Sequence, residues 1–377
     1  MTKKPGNHRR RTAIFLFVAV LLLSGGLFLF GRLGLFDVIK GLHLGRGVGA
    51  PEWQRGMAYV SWDKDEFATL SSDRSLEAMR DIGVDWVAIT PSFYQGDCSS
   101  TEICPVESTP SDSSIVHVIK KAHSLGIKVM LKPHLEVEDT SSGKWRGDIE
   151  FLEEKDWQDW FDSYNEFILH YAKIAEENRV EMFCVGTELT DSAILKPDMW
   201  REKVIAPVRR VYNGPLTYAA NWRREFKNIR FWDALDYAGI DAYFPLVDDI
   251  LSPDTERIRD GWARWIGEID AWQARIDKPV IFPEVGYHSA AWAARRPWEH
   301  MAQGMVDVEL QKNLYKVLLE EFSKKDYFYG AYWWLWEPDP GSGGEKDRGF
   351  TPQNKPAEDI LREWYAKPSP RKSSDKK

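Results

Sequence analysis

A single (β/α)8 TIM barrel preceded by one N-terminal transmembrane helix is the α/β fold class that three features of this 377-residue sequence predict. Eight short runs rich in aliphatic and aromatic residues alternate with longer stretches of helical periodicity. Most of the short runs are too apolar for a sheet with one wet face, as strands covered on both faces are. A separate uncharged apolar stretch follows a basic start. Composition agrees: 43% hydrophobic residues and 18 Trp are enough for a large core, which excludes disordered and collagen-like chains. The length fits one large catalytic domain, because barrels exceed the usual domain size.

In chain order, residues 1–11 carry five Lys/Arg and no acid. The uncharged run from Ala13 to Gly31 is about as long as a helix must be to cross a bilayer, so 12–31 is the predicted signal-anchor. By the charge rule, 1–11 is a basic cytoplasmic segment and the remainder is exported, periplasmic or extracellular. A cleavable signal peptide is the alternative. The run is long for one, and no A-x-A-like site closes it. Residues 32–50 read as a linker, 51–366 as the barrel, and 367–377, with Pro, Ser and Lys, as a disordered basic tail.

The eight expected strands are 56–62, 85–91, 128–135, 182–188, 215–221, 237–244, 279–286 and 328–336. Between them, Ile115, Val118, Ile119, Ala122 and Leu125 repeat at helical spacing and stop at Gly126. Trp157, Trp160, Phe161, Tyr164, Phe167, Ile168 and Tyr171 form a second such face. A doubly wound open sheet is the competing fold; it lacks a glycine-rich phosphate loop after the first strand. Net charge is −8 although both termini are basic, so the body is acidic and repels phosphate backbones. Nucleic acid is not expected as a partner. The three cysteines, Cys98, Cys104 and Cys184, form no CxxC, which excludes zinc-ribbon and thioredoxin readings. Cys98 and Cys104 share a polar loop, either as a pair or as two thiols.

Barrel chemistry sits at the C-terminal strand ends. The fourth strand ends at Glu188 and the seventh carries Glu284, so two carboxylates share one rim. A facing pair suits glycosidic cleavage, one protonating the departing oxygen while the other attacks or stabilises the anomeric carbon. Either glutamate alone also fits a structural ion pair. Tyr243, ending the sixth strand, is placed to donate to Glu284 or to sit satisfied in the core. Lys132 and His134 alternate along the third strand and are expected to point inward as donors to sugar hydroxyls. His134, Glu136 and Glu138 share a face, yet no H-x-H or H-E-x-x-H occurs, and neither a metal nor a cofactor is expected. Trp62, Trp222, Trp334 and Trp336 lie at strand ends as possible sugar platforms. Trp336 is favoured because it is nearest the rim. Trp145 and Arg146 after the third strand, and Trp292 after the seventh, would extend the cleft or pack their own loops.

Several stretches resemble glycoside hydrolase family 113, the β-1,4-mannanases of clan A: KVMLKPH (128–134), KWRGDI (144–149), VGTEL (185–189), FPEVGYHS (282–289), YWWLWEPDP (332–340) and GFTPQNKPAEDIL (349–361). The resemblance implies a retaining enzyme with Glu188 as acid/base and Glu284 as nucleophile. Many clan A families place Asn just before the acid/base to hold the sugar 2-hydroxyl. Thr187 stands there, which leaves Asn221 as the candidate for that contact. The expected partners are an oligo- or polysaccharide and the membrane, and the chain is expected to act as a monomer. A non-catalytic glycan-binding or envelope-assembly barrel is the alternative function. A third class, a barrel hydrolase of another bond, lacks G-x-S-x-G and metal-ligand spacing.

Overall fold

The computed structural model describes residues 50–249, 251–299 and 304–371. The predicted anchor at 12–31, with residues 1–11 and 32–49, lies outside them. Among the described residues no helix is long and apolar enough to cross a membrane.

The strands are β1 (Gln54–Tyr59), β2 (Trp86–Ile89), β3 (Ser92–Gln95), β4 (Lys128–Leu131), β5 (His134–Val137), β6 (Met182–Thr187), β7 (Leu216–Asn221), β8 (Ala238–Asp241), β9 (Val280–Val285) and β10 (Phe328–Trp336). Eight close a parallel barrel in the order β1-β10-β9-β8-β7-β6-β4-β2, one stave from each expected strand. The remaining two, β3 and β5, pair in parallel as a separate sheet.

That second sheet corrects the expectation of one continuous strand over 128–135. Lys132 N–H donates to Ile89 O at 2.9 Å, and His134 N–H donates to Pro91 O at 2.8 Å. Pro91 and Pro133 lack the N–H that a ladder needs, so they interrupt neighbouring strands together. Beyond them the chain pairs afresh.

Helices lie between the staves as the periodicity requires. The helix Asp112–Ser124 buries Ile115, Val118, Ile119 and Ala122, and the Ser111 hydroxyl accepts from Ser114 N–H to cap it. Gly126, at φ +76°, follows its end. The helix Glu154–Glu177 buries all seven predicted aromatic and aliphatic residues. Each such burial contributes about 1.5–3 kcal/mol.

Inside the barrel, Trp86, Ala88, Met130, Met182, Cys184, Ala219, Tyr237, Ile281 and Tyr332 form a packed plug. The larger core fills the space between staves and helices. Lys132, Asp241 and Glu284 lie beyond this plug, at the C-terminal ends of the staves.

Bulges shape that rim. Gly239 and Asp241 of β8 face Ile281 and Glu284 of β9, three residues of β9 spanning two of β8. Ile281 belongs to the inner plug and Phe282 to the outer core. Strict alternation would send Glu284 outward with Phe282; the extra residue beside Pro283 turns it inward. A matching shift lies between Cys184 and Thr187 of β6 against Thr217 and Ala219 of β7. Met57 and Tyr59 of β1 likewise face Trp333 and Trp336 of β10.

Residues 367–371 of the predicted disordered tail are mostly exposed yet hydrogen-bond to the barrel: Arg55 donates to Lys367 O at 2.7 Å, and Arg371 Nε donates to Phe328 O at 3.0 Å. Residues 372–377 lie outside the described residues. All three cysteines are free: Cys98 is buried with its thiol on Trp145 O at 3.3 Å, whereas Cys104 is exposed and bridges Tyr94 through its backbone.

Candidate active site

Glu188 leaves β6 in the left-handed region, φ +53°. For a residue with a Cβ this conformation costs about 1–2 kcal/mol. The surroundings hold it there. Glu188 N–H donates to Ala219 O at 2.8 Å, and Leu189 N–H donates to the Tyr218 hydroxyl at 2.9 Å. Tyr218 in turn donates to Glu225, which also accepts from Asn221 N–H at 2.7 Å and the Thr190 hydroxyl at 3.1 Å. Burial pushes the Glu225 carboxyl up to about 8, against the opposing pull of Tyr218 and Asn221.

Both carboxylate oxygens of Glu188 are engaged. Asn221 Nδ2 donates to Oε1 at 2.8 Å and Arg146 Nη2 donates to Oε2 at 2.7 Å. The same guanidinium donates through Nη1 to Glu136, whose carboxylate lies 3.6 Å from His134 Nδ1. His134 Nε2 is 3.4 Å from Glu284 Oε1. A continuous line of charged and polar groups thus runs from one glutamate to the other along the mouth.

Glu284 sits deeper. Tyr243 donates its hydroxyl to Oε2 at 3.0 Å, and Lys132 donates to Oε1. Burial alone would raise this carboxyl's pKa. Lys132, His134 and Arg146 more than reverse that and hold it well below the usual carboxylate range. An ionised, oriented oxygen at a barrel mouth is what attack on an electrophilic carbon requires. Below it, Asp241 Oδ1 lies 3.7 Å from Lys132 Nζ, and both side chains are 0% exposed. Neither Asp241 oxygen has a hydrogen-bond partner among the described residues. Burial, partly offset by Lys132 and reinforced by Glu284, pushes the Asp241 pKa far above its ordinary value.

The loop carrying Arg146 is fixed. Cys98 bonds the Trp145 carbonyl, Asp148 N–H donates to that same carbonyl at 2.8 Å, and Trp145 N–H donates to Asp148 Oδ2 at 3.2 Å. The indole of Trp145 lies across Gly147, where an added Cβ would come within 2.5 Å of the ring. Trp145 is 38% exposed beside the mouth.

Of the predicted site residues, Glu188, Glu284, Lys132, His134, Arg146, Asn221 and Tyr243 form one connected network. Tyr243 makes the expected bond to Glu284. Asn221, half-buried, donates its amide to Glu188. Two expectations are corrected. Lys132 is no donor to sugar hydroxyls, because it is wholly buried and committed to Glu284 and Asp241. Trp336 is no platform: it is 1% exposed and donates to Ser75 Oγ at 2.8 Å. The β10 bulge places Trp336 with Trp333 in the outer core, whereas Trp334 remains partly exposed, its ring parallel to that of His134 at 6.1 Å.

Trp62, 54% exposed after β1, presents an open indole near the strand ends. Trp292 packs within its own loop, with the Arg295 guanidinium 4.9 Å from its ring and Gly304 beneath. Exposed Trp298 stacks on Trp222 at 5.3 Å. Sequence reasoning missed Asp241 and Glu225. The signal for Asp241 was a lone carboxylate in the apolar run YAGIDAYF. Glu225 had no signal, since a polar loop residue gives no hint of burial. Among the described residues no group of three His, Cys, Asp or Glu side chains is placed to hold a metal ion.

The family model for glycoside hydrolase family 113 matches residues 57–355. Among solved structures, a β-1,4-mannanase of that family shares 30% identity over 83% of this chain and 99% of its own, with a TM-score of 0.75. The family 113 β-mannanase from Alicyclobacillus acidocaldarius shares 28% over 84% of this chain and 98% of its own, also at 0.75. A family 5 mannosidase from Rhizomucor miehei, at 11% identity and a TM-score of 0.57, shares the fold alone. No curated protein matches the sequence.

Proposed function

Because the chain belongs to glycoside hydrolase family 113, we propose that it is a retaining hydrolase of β-1,4-mannan or manno-oligosaccharides. In the first step an oxygen of Glu284 bonds to the anomeric carbon as the glycosidic C–O bond breaks, and Glu188 gives its proton to the departing oxygen. In the second, Glu188 takes a proton from water as the water oxygen displaces Glu284, restoring both carboxyl groups. The observation that carries this reading is the state of Glu284: ionised, buried and fixed by Tyr243 and Lys132. Arg146 and Asn221 orient Glu188 from either side.

The substrate assignment rests on the mannanases of similar sequence and fold. The basic start and the apolar run 12–31 support a further proposal, that the barrel is anchored to a membrane and works outside the cytoplasm.

The test incubates the purified full chain, in detergent, with β-mannan and cello-oligosaccharides. Products are followed by mass spectrometry and their anomeric form by proton NMR, beside Glu284→Gln. Mannan cleaved with β-anomers appearing first, and no cleavage by the variant, is the expected result. Equal cleavage by the variant would remove the nucleophile assignment, and cleavage of cello-oligosaccharides alone would remove the substrate.

A further inference from the structure

We propose that Asp241 is a positioning residue for the covalent half of the reaction, acting as the counter-charge that keeps Lys132 ion-paired once Glu284 has become an ester. The inference rests on the double-displacement reading above.

Lys132, Asp241 and Glu284 form a closed trio at the top of the barrel plug. Lys132 and Asp241 are fully buried, and Glu284 is nearly so at 3%. Lys132 bonds Glu284 and lies 3.7 Å from Asp241. In the free enzyme one buried ammonium thus faces two carboxyl groups. Only one of these can be ionised without leaving a net buried charge. Glu284 is that one, while Asp241, its oxygens without hydrogen bonds, stays protonated.

Esterification changes the arithmetic. The new C–O bond removes the negative charge of Glu284, and a buried ammonium with no counter-ion is costly. No other carboxylate bonds Lys132 or lies within ion-pair distance of it among the described residues. Arg146 and Glu188 act on Asp241 from farther off. Asp241 is therefore the group that can ionise, releasing its proton to water, and the trio returns to zero charge. When water later displaces Glu284, Asp241 takes the proton back. Lys132 thereby keeps its charge and place through both steps, ready to receive the carboxylate again.

The experiment traps the wild-type full chain with 2-deoxy-2-fluoro-β-mannosyl fluoride and counts protons released in weakly buffered indicator solution. This reaction forms the ester and expels fluoride without itself producing a proton. Any release from Glu188 is common to all variants compared. Wild type is expected to release about one proton more per trapped site than Asp241→Asn.

The kinetics should diverge too. Asp241→Asn should be trapped more slowly and reactivate faster, each on the order of ten-fold, because the ester state alone loses its counter-charge. A merely structural role would slow both steps together. Equal proton release in both proteins, or both steps slowed alike, would overturn the proposal.

Should Asp241→Asn fail to fold, Asp241→Leu serves instead, since the Asp241 oxygens make no hydrogen bond that it would lose and Lys132 stays on Glu284. The same proton must be missing; release at the wild-type level refutes the idea. If the wild type is labelled by the gluco reagent and not the manno one, the mannan reading fails. The proton count on that adduct still decides the role of Asp241.

Discussion

Replacing Glu225 by Gln tests the network that holds Glu188 in its left-handed conformation. Glu225 is fully buried and shared by Tyr218, Asn221 and Thr190. Burial lifts its pKa from 4.5 to about 8. A carboxyl raised on folding contributes stability that is fully present below the unfolded value. That contribution is lost as pH rises and is exhausted above the folded value. At about 1.4 kcal/mol per pH unit, the interval from 4.5 to about 8 amounts to ~5 kcal/mol. The glutamine variant does not titrate. It will start with its own offset at pH 4.5, from the changed hydrogen bonds, and should then gain on the wild type by about 1.4 kcal/mol per pH unit until pH 8. Urea unfolding followed by tryptophan fluorescence, at several pH values across that range, measures the difference. A constant offset between the two proteins would refute the reasoning, since it would mean that Glu225 ionises alike in the folded and unfolded chains.

Two other outcomes are expected. Tyr243→Phe removes the hydroxyl that donates to Glu284 at 3.0 Å. A charge-assisted bond of about 1.5–3 kcal/mol corresponds to roughly a ten- to hundred-fold fall in kcat/KM on an activated aryl mannoside, and an unchanged value would show that Lys132 alone fixes the nucleophile. In cell fractions, the full chain should stay with the membrane pellet after an alkaline carbonate wash, and a chain lacking residues 1–31 should not. Release of the full chain would remove the proposed anchor.

Much of this architecture was legible because barrel strands are apolar on both faces, so eight runs announced eight staves. Their polar ends marked the rim. Glu188, Glu284 and Tyr243 stood out as charged or phenolic groups at the ends of such runs, whereas Arg146 reads in sequence only as a loop residue that extends the cleft, and its bonds to Glu188 and Glu136 come from the fold. Side-chain direction was less accessible. Period-two reasoning places Trp334 and Trp336 together, yet the β10 bulge separates them. The same reasoning gave Lys132 and His134 one inward face, and both do reach Glu284, although Pro133 divides their strand. What alternation cannot state is depth, and depth is what makes Lys132 a partner of the nucleophile and leaves no room for it to touch a sugar. Asp241 and Glu225 matter through burial produced by residues distant in sequence, which no local pattern encodes.

The bulge beside Pro283 also bears on how such a barrel could lose its activity in evolution. The inward aim of Glu284 depends on one extra residue in β9 relative to β8. A single-codon deletion there would restore strict pairing and turn the carboxylate toward the helices, with every glutamate still encoded. Lineages could fall silent by this route while their site residues look intact in an alignment, so strand length at this position is as informative a marker of a living enzyme as the glutamates themselves.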